Sequence, residues 1–188
     1  IIQKLDPIIL NLAENDLTEE SFFSNFMNTR KIYLNSNKIK KLNNQLFFRA
    51  INLVLIDLSS NKIITIEENA FIHLLQLKEL DLSQNFLREL NEILFKNLGE
   101  LIYLNLSRNL LEHLNKNLFK NLSSLQTLDL SNNNLDHLND DLLINLNFLK
   151  ELYLYSNPMK KLNPEIFSGL NQIEKIFIAS YMLEPSLE

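Results

Sequence analysis

Leu77-Lys78-Glu79-Leu80-Asp81-Leu82-Ser83-Gln84-Asn85-Phe86-Leu87 is the stretch on which the fold turns. Within it Leu80 and Leu82 alternate with polar residues, the period of two that marks a strand with one buried face. The same frame returns as Leu101, Leu104, Leu106, Asn109 and Leu111, then as Leu125, Leu128, Leu130, Asn133 and Leu135. Leu53, Ile56, Leu58, Asn61 and Ile63 precede it, and Leu149, Leu152, Leu154, Asn157 and Met159 follow. Ile173, Ile176 and Ile178 open a last copy with Tyr181 in the Asn slot, and Leu10, Leu12, Asn15 and Leu17 form the first. The asparagines set the ruler: Asn15, Asn37, Asn61, Asn85, Asn109, Asn133 and Asn157 are separated once by 22 residues and then five times by 24.

Other positions keep that phase. Leu42, Ile66, Leu90, Leu114, Leu138 and Leu162 lie five residues after each Asn, and Phe47, Phe71, Phe95, Phe119, Leu143 and Phe167 lie ten after it. Ala50, Leu74, Leu98, Leu122, Leu146 and Leu170 lie thirteen after it. Eight copies result, near 7–28, 29–52, 53–76, 77–100, 101–124, 125–148, 149–172 and, in part, 173–188, so that residues 1–188 are expected to form a single repeat domain. The period explains a composition of 42 Leu and 28 Asn. With a hydrophobic content of 46%, the Asn excess is not a disorder signature.

The remaining composition narrows the chemistry. Two glycines cannot build a phosphate-cradling loop or a nucleophile elbow. The absence of Cys removes a disulfide framework, a zinc ribbon and a thiol nucleophile. A net charge of −5 disfavours nucleic acid as a partner, since that affinity is built on basic residues.

Each L-x-L core predicts a short strand, and the longer Phe-containing half returns the chain to the next one. Successive strands are therefore parallel neighbours about 4.8 Å apart. Because the return segments are bulkier than the strands, the stack is expected to curve with the sheet on its concave side, and to be stable only as a stack. The Asn column supplies a donor pair and an acceptor oxygen to the turns at the strand ends, linking copy to copy where Leu would leave backbone groups unpaired and Asp would bury a charge. Asn43, Asn91, Asn115, Asn139 and Asn163 form a second column of expected turn residues, with Glu67 in the gap. Asn132 and Asn134 exceed these needs and read as compositional bias.

Self-similarity of this length, with L-x-x-L-x-L-x-x-N-x-L and Phe in the second half, resembles the typical 24-residue leucine-rich repeat over residues 8–183. Toll-family ectodomains, insect immune repeat proteins, neuronal adhesion receptors and small matrix proteoglycans are similar. The resemblance implies an α/β repeat solenoid: a curved horseshoe with a concave parallel β-sheet and an irregular or 3-10 convex side. It also implies a non-enzymatic, extracellular binding domain, secreted or part of a membrane protein, in innate recognition or cell adhesion. Two features depart from the family: there are no Cys-rich caps, and no signal peptide or transmembrane run, so no direct membrane insertion is expected. Ile1, Ile2 and Leu5 already read as repeat-like, which leads to the expectation of a fragment or processed chain.

Candidate binding residues are those flanking the strand leucines. Asp57, Asp81 and Asp129 follow the L-D-L-S habit of the family and read as solvated polar positions. The large aromatics are more informative: Tyr33, Tyr103, Tyr153, Tyr155 and Phe177 interrupt a polar face, and exposed Tyr is enriched where interfaces concentrate their energy. Tyr153, Tyr155 and Phe177 lie on adjacent copies and are expected to form one C-terminal patch, fit to hold a protein ligand or co-receptor, or a second chain in a homo- or hetero-dimer. The same patch would equally pack against a cap or further repeats. Tyr103, Asp81, Asn105 and Arg108 form a mid-face polar group.

Glu79, Asp81 and Asp57 form a carboxylate group on neighbouring strands, the basis of an enzyme or cation reading. With no pocket former, Gly-rich turn or His on that face, no catalytic residue and no cofactor are expected. His113 and His137 share a register, but Lys41, Thr65, Glu89 and Lys161 fill the same column elsewhere, so it reads as an exposed variable position and no metal site is expected. His73 sits apart on a return segment. Asn105-Leu106-Ser107 and Asn121-Leu122-Ser123 are candidate glycosylation sites in a secretory setting, one mid-sheet and one on the convex or lateral side. The alternative function is an intracellular scaffold or regulator of protein complexes, which the absence of Cys permits.

Overall fold

Three-residue strands alternate with turn-rich return segments throughout the computed structural model, which describes residues 7–18 and 26–179. Residues 1–6 and Tyr181 in the last Asn slot lie outside the described residues, as do parts of the first and last copies. The strands are β1 (Ile9–Asn11), β2 (Lys31–Tyr33), β3 (Lys41–Leu42), β4 (Leu55–Asp57), β5 (Thr65–Ile66), β6 (Glu79–Asp81), β7 (Tyr103–Asn105), β8 (Thr127–Asp129), β9 (Glu151–Tyr153) and β10 (Lys175–Phe177). Eight of them form one parallel sheet in the order β1-β2-β4-β6-β7-β8-β9-β10. Every partner in it is the equivalent residue of the next copy, as in Leu80↔Leu104, Leu104↔Leu128 and Leu128↔Leu152. Among the described residues the convex side holds one short 3-10 helix, Pro164–Phe167, and otherwise turns.

The period of the sequence becomes columns of packed side chains. The central strand residues Ile32, Ile56, Leu80, Leu104, Leu128 and Leu152 are buried, as are Leu34, Leu58, Leu82, Leu106, Leu130 and Leu154 two positions on. Phe47, Phe71, Phe95 and Phe119 form a buried spine of near-parallel rings with centroids 6.1, 6.5 and 6.3 Å apart. Leu46, Ala70, Leu94, Leu118, Leu142 and Ile166, just before the Phe column, make a further buried row. In β10 the central residue Ile176 is 36% exposed, unlike its buried counterparts in the preceding strands.

β3 and β5 form a separate parallel pair on the flank, Lys41↔Thr65 and Leu42↔Ile66. The β-branched run Ile63-Ile64-Thr65-Ile66 favours extended backbone here, and the pairing is not continued among later described copies.

The asparagines connect the copies. Asn109 accepts from the buried Leu87 N–H (3.1 Å) and donates to the carbonyls of Leu82 (3.0 Å) and Leu106 (3.1 Å). Asn61, Asn85 and Asn133 repeat that set one copy apart, each accepting from Ile39, Ile63 or Leu111. Asn37 accepts from Leu17 and Asn157 from Leu135. Asn15 differs: it is exposed, and its donors reach the Leu12 and Ala13 carbonyls of its own turn. In the second column the Asn43, Asn91, Asn115, Asn139 and Asn163 side chains each accept the N–H two residues on, which starts the convex turn. Glu67 acts otherwise, accepting from the Asn44 N–H and pairing with Lys41.

One column was invisible in the sequence. Glu14, Ser36, Ser60, Gln84, Arg108, Asn132 and Ser156, each preceding a ladder Asn, have left-handed backbone with φ between 54° and 57°. For L-residues that conformation costs about 1–2 kcal/mol. It is held by bonds between copies, such as Arg108 N–H to Ser131 O and Asn132 N–H to Tyr155 O, both 3.0 Å. Asn132 is therefore more than compositional excess, because Asn is among the few L-residues that tolerate this region.

Candidate functional site

Parallel, in-register pairing lays the concave face out as rows. One row runs Asn11, Tyr33, Asp57, Asp81, Asn105, Asp129, Tyr153, Phe177, and each neighbour is a direct strand partner. Asp57, Asp81, Asn105 and Asp129 are half-buried, and each side chain accepts the N–H of Ser59, Ser83, Ser107 or Ser131 two residues on, at 2.8–3.0 Å. Their first role is thus to hold the strand-to-turn corner, which corrects the reading of these aspartates as simply solvated. Tyr33, Tyr153 and Phe177 occupy the same row and have no acceptor to give that corner. They stand where the repeat would otherwise place a structural Asp or Asn.

Mid-face, the Asn105 amide donates to the Asp81 carboxylate at 3.2 Å. Burial, reinforced by the neighbouring Asp57 charge, raises the Asp81 carboxyl above the usual aspartate range, against the opposing hydrogen bonds from Ser83 and Asn105. Burial, then the Asp81 and Asp129 charges, raise the Tyr103 phenol. Tyr103, Asp81 and Asn105 are therefore one electrostatic group. Arg108 stands apart, exposed in the left-handed column.

A shallow depression of about 220 Å³ lies beside this group, lined by Tyr33, Leu55, Ile56, Asp57, Glu79, Asp81 and Tyr103. Tyr33 on β2 and Tyr103 on β7 line it, with Asp57, Glu79 and Asp81 on the two strands between.

Near the C-terminal end, Tyr153 and Phe177 stack face to face, with centroids 4.5 Å apart and planes within 5°. The Tyr153 hydroxyl donates to Glu151 (2.8 Å), which also pairs with Lys175 (2.5 Å). The Lys175 ammonium, then the Tyr153 hydroxyl, hold the Glu151 carboxyl below its usual range; the hydrogen bond to Glu151 raises both Tyr153 and Lys175. Phe177 remains 41% exposed and Tyr155 40%. The structure joins Tyr153 to Phe177; among the described residues Tyr155 makes no ring contact with either.

The candidate glycosylation sites differ in setting. Asn121 is exposed and its amide donates to Lys96 O (2.7 Å), whereas Asn105 is half-buried with its amide committed to Asp81 and Ser107 buried beside it. Among the described residues no helix is long and apolar enough to cross a membrane.

A stack of 24-residue copies, joined by buried asparagines and a Phe spine and offering a concave parallel sheet, is a leucine-rich repeat solenoid. The chain belongs to the leucine-rich repeat family, whose model matches residues 27–87, 75–135 and 123–180. Comparison with curated proteins finds no match. Among solved structures, one of a TLR13–ssRNA13 complex is similar, with 31% identity and a TM-score of 0.83 over 92% of this chain. An internalin (inlF) from Listeria monocytogenes shares the fold at 21% identity and a TM-score of 0.73 over 94% of this chain. The chain spans 25% of the first protein's length and 49% of the second's. The charge argument against nucleic acid gains no support here, since one of these structures is of an RNA complex.

Proposed function

We propose that the chain is a non-enzymatic recognition domain that takes a protein partner on its concave face, anchored by the Tyr153–Phe177 pair. The observation that carries this reading is the stacked Tyr153–Phe177 pair, half-buried at Tyr153 and 41% exposed at Phe177, in a row where the repeat calls for a structural Asp or Asn. Side chains there give up the corner hydrogen bond, and a partner that buries the rings supplies the return. Rings already stacked lose little side-chain freedom on binding. Tyr33 and Tyr103, with Asp57, Glu79 and Asp81 between them, form a second contact suited to a basic or apolar side chain. The carboxylates of Asp57, Glu79, Asp81, Asp129 and Glu151 across this face favour a protein over a phosphate backbone.

The test is capture by the immobilised domain, with Tyr153→Ala/Phe177→Ala and Tyr33→Ala/Tyr103→Ala as comparisons. Loss of each main anchor should weaken a specific partner by about 2 kcal/mol, roughly thirtyfold. Sedimentation of the free chain reads self-association through the same patch. If both double variants keep every partner and the same sedimentation behaviour, the concave-face reading is wrong. Binding of single-stranded RNA that resists added salt would replace the protein partner with a nucleic acid.

An extracellular setting goes with this reading, in innate recognition or adhesion, for a secreted chain or part of a surface receptor. Expression through a eukaryotic secretory route should place a glycan on Asn121 and leave Asn105 bare. Peptide mass analysis finding Asn121 unmodified would favour an intracellular scaffold instead.

A further inference from the structure

His113 and His137 occupy the same register of adjacent copies, which brings their rings to 5.4 Å between centroids. In sequence their column reads as a variable surface position, but the structure adds Asp136, whose carboxylate reaches both rings: its Oδ1 lies 3.6 Å from His113 Nδ1 and in hydrogen-bond contact with His137 Nδ1. One ligand atom from each of the three lies within 4.8 Å of the other two.

We propose that His113, Asp136 and His137 form a binding site for a borderline divalent transition ion, with Zn2+ as the reference ion, on the flank of the solenoid away from the concave face. In a tetrahedral zinc site with bonds of 2.0–2.1 Å, ligand atoms stand about 3.3 Å apart. The separations here bracket that value, and all three side chains are exposed, so small rotations about the χ angles bring them to it. Two imidazoles and one carboxylate suit zinc or copper; calcium and magnesium call for more oxygen ligands.

The electrostatic setting is favourable. The Asp136 carboxylate already stands against both imidazoles. Around the site stand Glu112, paired with Arg88; Lys116, paired with Asp141; and Asp140 and Lys161 beside His137. The fourth coordination position faces solvent. A bound ion would tie the fifth copy to the sixth, beside the Lys116–Asp141 pair that already links them.

The test is calorimetric titration of the purified chain with Zn2+ alone in a non-chelating buffer. Magnesium and calcium serve as controls, with His113→Gln/His137→Gln and Asp136→Asn as variants. One zinc per chain is expected. Each variant should lose at least about tenfold in affinity, the scale on which even outer-shell groups act at metal sites. Copper should bind at least as tightly, and magnesium and calcium not at all. In NMR spectra the ring resonances of His113 and His137 should shift with zinc, while those of His73, which packs edge-on against Phe48, stay in place. All three positions are exposed, so the variants should unfold at the wild-type midpoint and report on binding alone. The proposal is overturned if zinc fails to bind at about 1 mM, or if the double His variant binds within about threefold of wild type.

Discussion

The Asn column offers an internal control, because one sequence position carries different hydrogen bonds in different copies. In Asn109→Ala the lost groups are not equivalent. Leu82 O and Leu106 O each keep a second donor, from Asn85 and Asn133, and Ser107 O keeps the Gln84 N–H. The Leu87 N–H donates to Asn109 Oδ1 in the buried interior, where solvent does not reach to replace that acceptor. Orphaning that group costs about 1–3 kcal/mol, and surrendering the donor bonds adds about 1, for a total of about 2–4 kcal/mol. Asn15→Ala removes bonds within one exposed turn and should cost less than about 1 kcal/mol. Urea unfolding followed by circular dichroism separates the two, read as midpoints at unchanged m-value. Asn109→Asp adds a second handle. It keeps an acceptor for Leu87 but sets a carboxylate oxygen against the Leu82 and Leu106 carbonyls. Its folded pKa is thereby raised, so its deficit should shrink as pH falls and the group takes up a proton. Equal losses for Asn15→Ala and Asn109→Ala would refute the assignment of the cost to the buried Leu87 N–H.

The two glycines should respond oppositely. A Cβ on Gly169 would sit 2.5 Å from the Ile144 carbonyl oxygen and 2.8 Å from its Cα, so Gly169→Ala should cost about 1–3 kcal/mol in chemical denaturation. At Gly99 the nearest atom is 3.8 Å away and φ is not positive, so Gly99→Ala should be neutral or stabilise by up to about 1 kcal/mol. Asp81 makes stability depend on pH. Its folded pKa lies above the unfolded one, so its share of stability is complete below the unfolded pKa and declines as pH rises through the folded pKa. Asp81→Asn keeps the acceptor for the Ser83 N–H, as Asn105 does for Ser107, and should abolish that decline. Parallel pH profiles for wild type and variant would dismiss the buried-carboxylate account.

The concave face shows where sequence reading gives out. Tyr153 and Phe177 could be placed on neighbouring strands because they are 24 residues apart in a chain of that period. Their stacking, and the exclusion of Tyr155 from it, required side-chain directions. The Asp57, Asp81 and Asp129 column was visible, but not its bonds to the next serines, since L-D-L-S reads the same whether the Asp is solvated or turned back onto the backbone. The left-handed column carried no signal, because Glu, Ser, Gln, Arg and Asn fill it and Gly never does.

By itself the sequence determined the solenoid, the parallel in-register sheet, the column of Phe positions and the asparagines that serve buried backbone. It did so because each copy cannot bury its own apolar side, and stacking equal copies in register buries all of them at once. Tertiary structure alone decided the contacts that depend on where a side chain points across two or three copies. These are the depression that Tyr33 and Tyr103 share with three carboxylates, Asp136 reaching both His113 and His137, and Leu87 depending on Asn109. Periodicity assigns a residue to a column, but rotamer and burial assign it a neighbour.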